Sequence, residues 1–140
     1  PPPISTLFPY TTLFRSGHPV ELNGDVSSLV QIFDNLIINS IDAYDGKPGL
    51  IELVIRTEEE QLVFSLKDYA KGMPQAVQER VFKEMVTTKG KGGTGLGLYM
   101  SFATIRARFN GSMWFESSAG KGTTFYIAIP ILRIMTSSYE

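Results

Sequence analysis

The 140-residue chain contains no cysteine and only one histidine, His18. A disulfide, a thiolate metal site and a zinc site with several histidines are therefore excluded. No apolar run approaches the ~20 residues that a membrane-spanning helix needs. The formal net charge is -1, so the chain has no basic field of the kind that attracts nucleic acid. We therefore expect no nucleic-acid partner and no membrane insertion of this domain.

Composition divides the chain into three parts. Hydrophobic residues make up 43% and charged residues 19%, a balance typical of a globular domain. Residues 1–16, PPPISTLFPYTTLFRS, show no sustained period and resemble translated sequencing-adapter sequence. A genuine, loosely held N-terminal arm is the alternative. We predict that residues 17–130 form one domain and that residues 131–140 are a C-terminal tail.

Apolar periodicity and turn residues predict the secondary structure. The predicted helices are Val26–Tyr44, with Asp25 as N-cap, then Gln75–Phe82 and Leu96–Phe109. A short first strand and two hairpins are predicted at Pro19–Leu22, Leu50–Arg56, Leu62–Lys67, Ser112–Ser117 and Thr123–Pro130. Helices and antiparallel hairpins that are segregated along a chain predict an α+β two-layer sandwich, with helices on one face of a sheet.

The first predicted helix carries a polar stripe. Its members fall within about 80° of one another on a helical wheel: Gln31, Asn35, Asn39 and Asp42. The predicted apolar face lies opposite and consists of Val26, Leu29, Val30, Phe33, Leu36, Ile37, Ile41 and Tyr44. Ile32 and Ile38 flank the stripe as apolar walls. A polar line with apolar walls suits a ligand that is part charge and part flat ring. Mg²⁺ accepts amide oxygens together with water and phosphate oxygens. An exposed amide face without a ligand is the alternative.

The stretch KGKGGTGLGL, residues 89–98, has five glycines and runs into the last predicted helix. A Walker A loop is excluded because none of the Gly-Lys pairs of the chain is followed by Ser or Thr. A dinucleotide fingerprint lacks its βαβ unit. At a helix N-terminus, outward N–H groups and the helix dipole favour a phosphate. We therefore favour a phosphate cradle at Gly93, Gly95 and Gly97, with Lys89 and Lys91 as counter-charges, over a flexible linker.

These segments, in this order, resemble the ATP-binding catalytic domain of sensor histidine kinases, which shares a superfamily with DNA gyrase, Hsp90 and MutL ATPases. QIFDNLIINSIDA resembles the N box, DYAKGMP the first glycine box, VFKEMVTTKG the F box and GTGLGLYMS the second glycine box. GKGTTFYIAIP resembles the closing strand. The resemblance covers about Val20 to Pro130. It implies the Bergerat ATP-binding fold, a mixed, mostly antiparallel sheet covered on one face by about three helices.

The resemblance also implies ATP and Mg²⁺ as cofactors and assigns roles to individual residues. Asn39 would coordinate Mg²⁺ and Asn35 would help to position the phosphates, so these two are the predicted catalytic residues. Asp68 would accept a hydrogen bond from the adenine amino group, although a turn-forming Asp is the alternative from this segment alone. Gly72 would allow close backbone approach to the ring, and Thr123 would contribute its hydroxyl. Further nucleotide contacts are implied for Asp42, Met73, Lys89, Lys91, Gly93, Thr94, Gly95, Leu96, Gly97 and Leu98.

Residues 73–92 would form an ATP lid, anchored by Phe82. Two positions depart from the family pattern. Ala70 stands where the first glycine box usually has a glycine, which is acceptable unless that residue needs a positive φ. Asp42 stands where many relatives carry a lysine, so the phosphate charge is expected to be met by another Lys or Arg.

The choice between transfer and hydrolysis depends on Asn35. In gyrase-type relatives a glutamate one helical turn before the metal-binding asparagine activates water, and an amide cannot take that proton. We therefore expect γ-phosphoryl transfer to a histidine on a separate dimerisation domain of the same kinase, then relay to a response regulator aspartate. The expected location is the cytoplasm, including the cytoplasmic part of a membrane-anchored kinase. A gyrase-, MutL- or Hsp90-like ATPase, an anti-sigma-type serine kinase and a degenerate nucleotide sensor are the alternatives.

Overall fold

The structure is a computed structural model, and it describes residues 20–86 and 93–134. The elements in these ranges are β1 (Val20–Leu22), α1 (Val26–Asp42), β2 (Ile51–Glu58), β3 (Gln61–Asp68), α2 (Gln75–Val86), α3 (Gly93–Phe109), β4 (Ser112–Ser118) and β5 (Gly122–Ile134). No helix within them is long and apolar enough to span a bilayer. The predicted N-terminal arm, Pro19, His18 and residues 135–140 lie outside the described residues.

Strand β5 is the centre of the sheet. It pairs with β1, β3 and β4, and β2 extends the sheet beyond β3. All four pairings among the described strands are antiparallel. The predicted last strand ended at Pro130, whereas β5 continues to Ile134 because β1 provides a partner, with Val20 opposite Ile134. This pairing joins the two ends of the described chain.

The three helices pack on one face of the sheet, and the core lies between the two layers. Its buried side chains come from every helix and from β3, β4 and β5: Ile32, Leu36, Leu62, Phe64, Leu66, Met85, Leu98, Ile105, Phe109, Met113, Phe125, Ile127 and Ile129. Alternate residues of β3 (Leu62, Phe64, Leu66) face this core, as the two-residue period of a strand requires. The predicted α+β two-layer sandwich is confirmed.

Asp25 caps the N-terminus of α1, as predicted. Its Oδ2 accepts a hydrogen bond from the Ser28 backbone N–H at 2.8 Å, which satisfies one of the N–H groups that a helix leaves free at its start. This hydrogen bond is the main reason that the pKa of Asp25 falls to about 2. Helix α1 ends at Asp42, two residues before the predicted end at Tyr44.

The predicted apolar face of α1 is only partly correct, since Leu36 is buried and Leu29, Phe33 and Ile37 pack against the core. The buried residues of the helix are Ile32, Leu36 and Ser40, spaced four apart, whereas Val26 is 77% exposed and Ile41 54% exposed. At about 100° per residue, the centre of the buried line is rotated by about 70° from the centre of the predicted face. Ile32, which the sequence placed beside the polar stripe, is therefore a core residue. The amides lie next to the buried line instead of opposite it.

The β2–β3 hairpin turns more tightly than predicted. Glu59 and Glu60 form a two-residue turn, and both have a positive φ, 52° and 66° respectively. This conformation is typical of type I′ turns, which usually contain asparagine and glycine. Both strands of the hairpin are consequently longer than their predicted lengths. Helix α2 likewise extends four residues beyond the predicted end at Phe82, to Val86.

Truncating a core side chain of α1 tests this packing. Leu36 is 1% exposed between α1 and the sheet, so we expect Leu36→Ala to lower the free energy of unfolding by about 2–5 kcal/mol. Leu132→Ala, the same substitution at a residue that is 56% exposed, should cost about 0.5 kcal/mol or less. Urea denaturation followed by circular dichroism measures both. Equal losses would contradict the described packing of α1.

Candidate functional site

Three strand ends meet at one edge of the sheet. Strand β3 ends at Asp68, β4 ends at Ser118 and β5 begins at Gly122. In the antiparallel registers Lys67 is opposite Thr124, and Ser117 is opposite Thr123. The carboxylate of Asp68 and the hydroxyls of Ser117 and Thr123 are therefore brought together by strand pairing.

The Asp68 carboxylate is held by main-chain donors. Asp68 is 3% exposed, and its Oδ1 accepts hydrogen bonds from the backbone N–H groups of Ala70 at 3.0 Å and Thr123 at 3.2 Å. Among the described residues, none donates a hydrogen bond to Oδ2. A buried carboxylate oxygen is costly without a donor. This oxygen is therefore the acceptor that a ligand with a polar N–H group would satisfy.

Hydroxyl and amide groups continue the site from Thr123 to α2. Thr123 Oγ1 lies 2.8 Å from Ser117 Oγ, which also accepts from the Met73 backbone N–H at 2.9 Å. Gln78 Nε2 donates to the carbonyl oxygens of Met73 at 2.8 Å and Ser117 at 3.1 Å. These bonds fix the start of α2 against the end of β4. Ser117 and Gln78 were not predicted as site residues, although the predicted hairpin already placed Ser117 opposite Thr123.

Two glycines permit the close backbone packing at this edge. Gly72 has a φ of +66°, and a Cβ there would overlap the carbonyl oxygen of Ser118. Gly122 has a φ of +108°, and a Cβ there would overlap the carbonyl oxygen of Asp68. Ala70, in contrast, is not among the residues with a positive φ. The departure from the family pattern at this position therefore causes no backbone strain.

The two predicted catalytic amides are both half-buried on α1, and one of them contacts α3. Asn35 is half-buried, and its Nδ2 donates to the Oγ of the buried Ser101 of α3 at 3.5 Å. Asn39, also half-buried, has no side-chain hydrogen bond to any residue that the structure describes. Gln31 and Asp42, the outer members of the predicted stripe, are exposed. The stripe thus divides into two inner amides and two outer polar groups.

Helix α3 begins at Gly93, three residues before its predicted start. Gly93, Thr94, Gly95, Leu96 and Gly97 therefore lie inside its first turns, although nothing is described of the side chains of Thr94 and Leu96. A Cβ at Gly97 would meet no atom of the described residues within 4 Å.

The remaining predicted contacts near this helix divide into two groups. The side chain of Leu98 is buried in the core, which leaves only its backbone for a ligand. Lys89 and Lys91 lie outside the described residues.

The predicted anchor of the lid is wrong. Phe82 is 54% exposed, and the residue of α2 that is buried in the core is Met85, at 1% exposure. Phe82 instead lines a groove between α2 and β4, together with Trp114 and Phe115. A helical wheel cannot separate Phe82 from Met85, which are three residues apart and so lie on neighbouring parts of one face.

Similarity to known proteins identifies the family of the chain. The chain belongs to the histidine kinase-, DNA gyrase B- and HSP90-like ATPase family, whose model matches residues 24–133. It is 37% identical over 112 residues to sporulation kinase A of Bacillus subtilis, covering 79% of this chain and 18% of that protein. It is 36% identical over 118 residues to sporulation kinase C of the same organism, covering 84% and 27%. The chain thus spans about a quarter or less of the length of these relatives.

A solved structure has the same fold. The catalytic domain of histidine kinase ThkA, in a nucleotide-free form, superposes with a TM-score of 0.61 at 28% identity. The match covers 76% of this chain and 68% of that one. The chain is therefore an ATPase domain of the histidine kinase type, as the resemblance predicted.

Substitution of Gly72 tests the backbone packing of the site. Gly72 and Gly120 both have a positive φ, +66° and +82°, so alanine at either position carries the left-handed penalty of about 1–2 kcal/mol. Only at Gly72 would the new Cβ also overlap a backbone oxygen. We expect Gly72→Ala to lower the free energy of unfolding by about 1–3 kcal/mol more than Gly120→Ala. Chemical denaturation of both variants checks this, and equal stabilities would show that the packing at Gly72 is loose.

Proposed function

We propose that this domain binds Mg-ATP and positions the γ-phosphate for transfer to a histidine on a separate dimerisation domain of the same kinase. An aspartate of a response regulator then takes the phosphoryl group, and both steps take place in the cytoplasm. The observation that carries the proposal is the buried Asp68 carboxylate, which has one oxygen held by two backbone N–H groups and the other without a donor among the described residues.

The free oxygen of Asp68 suits the amino group of adenine. The amino group has two N–H bonds and an aromatic ring behind it, so it satisfies the buried oxygen and covers it with apolar surface. Thr123 supports the same end of the ligand, because its hydroxyl lies 2.8 Å from Ser117 Oγ and can orient a water or the ring nitrogen edge. Gly72 and Met73 follow within the same backbone segment and would line the ring.

The phosphate end of the ligand would lie between α1 and the N-terminus of α3. Asn39 has an unpaired amide among the described residues and would coordinate Mg²⁺ through its oxygen, while Asn35 would position the phosphates. Magnesium, when bound, neutralises charge on the phosphate oxygens. The backbone N–H groups at Gly93–Leu98 would bind the same oxygens through the positive end of the helix dipole, and Lys89 and Lys91 would supply the positive charge. Asp42, exposed at the end of α1, would contact the ligand only through the metal or water.

Asn35 favours transfer over hydrolysis. General-base activation of water needs a group that can accept a proton near neutral pH, and a carboxamide cannot. Catalysis then consists of orientation and charge stabilisation, with the nucleophile supplied by the partner histidine. The ATP would wait in the site until that histidine arrives.

Phosphoryl transfer is tested by mixing the domain with Mg-ATP and a separately supplied histidine-bearing dimerisation domain. We expect acid-labile phosphate to appear on the partner. Asn39→Ala should weaken Mg-ATP binding at least about tenfold, because a metal–oxygen bond and its geometry are lost. Gln31→Ala removes an exposed amide of the same stripe and is the matched control, with unchanged affinity. Calorimetric titration measures both variants.

Two results would contradict this proposal. Tight Mg-ATP binding without phosphate on the partner would indicate a nucleotide sensor, and phosphoserine on an antagonist protein would indicate an anti-sigma-type kinase. Equal affinities of Asn39→Ala and the unsubstituted chain would remove the metal role from Asn39.

A glutamate in place of Asn35 should promote ATP hydrolysis. We expect Asn35→Glu to raise the steady rate of phosphate release without an acceptor by about a hundredfold or more, since a general base typically contributes that much. Asn35→Gln, which keeps an amide of the same length as glutamate, is the control and should stay at the basal rate. Rapid hydrolysis by the unsubstituted chain would instead favour a gyrase- or MutL-like ATPase.

A further inference from the structure

Tyr44 connects three segments close to Asp68. It lies in the connection between α1 and β2, where its hydroxyl donates to the carbonyl oxygen of Leu50 at 2.5 Å. The same hydroxyl accepts a hydrogen bond from the backbone N–H of Tyr69 at 2.8 Å. Its ring packs against Gly49 so closely that a Cβ at Gly49 would overlap the ring. The position of this hydroxyl is therefore determined by the packing of the ring.

The peptide bond between Asp68 and Tyr69 is held from both of its sides. Its N–H donates to the Tyr44 hydroxyl, and its carbonyl oxygen lies where a Cβ at Gly122 would be. The Asp68 carboxylate is one methylene group away from the Cα that begins this peptide. The next residue, Ala70, donates its backbone N–H to Oδ1 of the same carboxylate at 3.0 Å. A shift of the segment that Tyr44 holds would therefore move a donor that orients the carboxylate and its Oδ2.

An ion pair also joins the connection between α1 and β2 to the segment after β3. Lys71 Nζ lies 3.2 Å from Asp45 Oδ1, and both side chains are 64% exposed. An ion pair at such exposure contributes little to stability. Tyr44, in contrast, bonds the peptide next to Asp68 directly, whereas the ion pair holds a side chain three residues further along the chain.

We propose that Tyr44 is a positioning residue for recognition of the adenine amino group. It acts through the Asp68–Tyr69 peptide, without touching the nucleotide, by fixing the direction in which Oδ2 of Asp68 faces. The proposal rests on the function inferred above, in which Asp68 binds adenine. The sequence alone did not single out Tyr44 for this role, because it placed the residue on the apolar face of the first helix.

The test compares ATP with purine riboside triphosphate, which is the same nucleotide without the 6-amino group. Tyr44→Phe keeps the ring on Gly49 and removes both hydrogen bonds. We expect it to weaken ATP binding about threefold to tenfold, the usual effect of one lost hydrogen bond, and to leave the affinity for the analogue unchanged. The preference for ATP over the analogue should fall by the same factor.

Tyr126→Phe is the matched control. The Tyr126 hydroxyl donates to Glu116 Oε1 at 2.9 Å. The Tyr126 ring stacks on Trp114, and neither contact involves a residue of the site. This variant loses one hydroxyl hydrogen bond as well, and its preference for ATP should equal that of the unsubstituted chain. Thermal melts of both variants establish that they are folded at the assay temperature.

The outcomes separate this inference from the function on which it rests. If the unsubstituted chain prefers ATP and Tyr44→Phe lowers both affinities equally, or neither, Tyr44 has a general structural role and the inference is overturned. If the unsubstituted chain does not distinguish the two nucleotides, Asp68 does not read the amino group, and the adenine contact of the proposed function is overturned first.

Discussion

The Asp68 carboxylate ties together parts of the chain that are far apart in sequence. One oxygen accepts backbone N–H groups from both Ala70 and Thr123, so the end of β3, the segment after it and the start of β5 share a single acceptor. Inside a protein such a charge is tolerated only when it is hydrogen-bonded. The backbone positions at this edge of the sheet and the orientation of the proposed ligand-binding oxygen are therefore coupled through one acceptor.

The other half of the site is built by helix packing instead of strand pairing. Because the buried line of α1 is Ile32, Leu36 and Ser40, the neighbouring amides are turned partly inward, and Asn35 reaches Ser101 on α3. Had the helix been oriented as its overall apolarity suggested, both amides would face solvent. Under the proposed function, the rotation of α1 about its axis decides whether the amides can share a ligand with the N-terminus of α3.

Local signals in the sequence predicted most of the elements, whereas orientation required the folded chain. The Asp25 cap and the alternating strands were predictable since each depends on neighbours in the sequence. The buried side of α1 was not predictable from the sequence, because apolar residues occupy more than half of its circumference. Packing against the sheet determines which of them are buried. The hairpin turn lies within the predicted connection between the two strands. Its two-residue length was not predictable, because glutamate is unfavourable at positive φ and tertiary pairing overrides that preference.

The packing of α1 against α3 does not by itself distinguish a kinase from an ATPase. The family contains histidine kinases as well as gyrase- and HSP90-like ATPases, so one backbone serves both chemistries. Here the Asn35 amide donates to the Ser101 hydroxyl. A carboxylate at that position would accept from the same hydroxyl, whose proton can rotate to either role. The Ser101 hydroxyl can therefore pair with an amide or with a carboxylate, and under the proposed function the side chain at position 35 decides between transfer and hydrolysis.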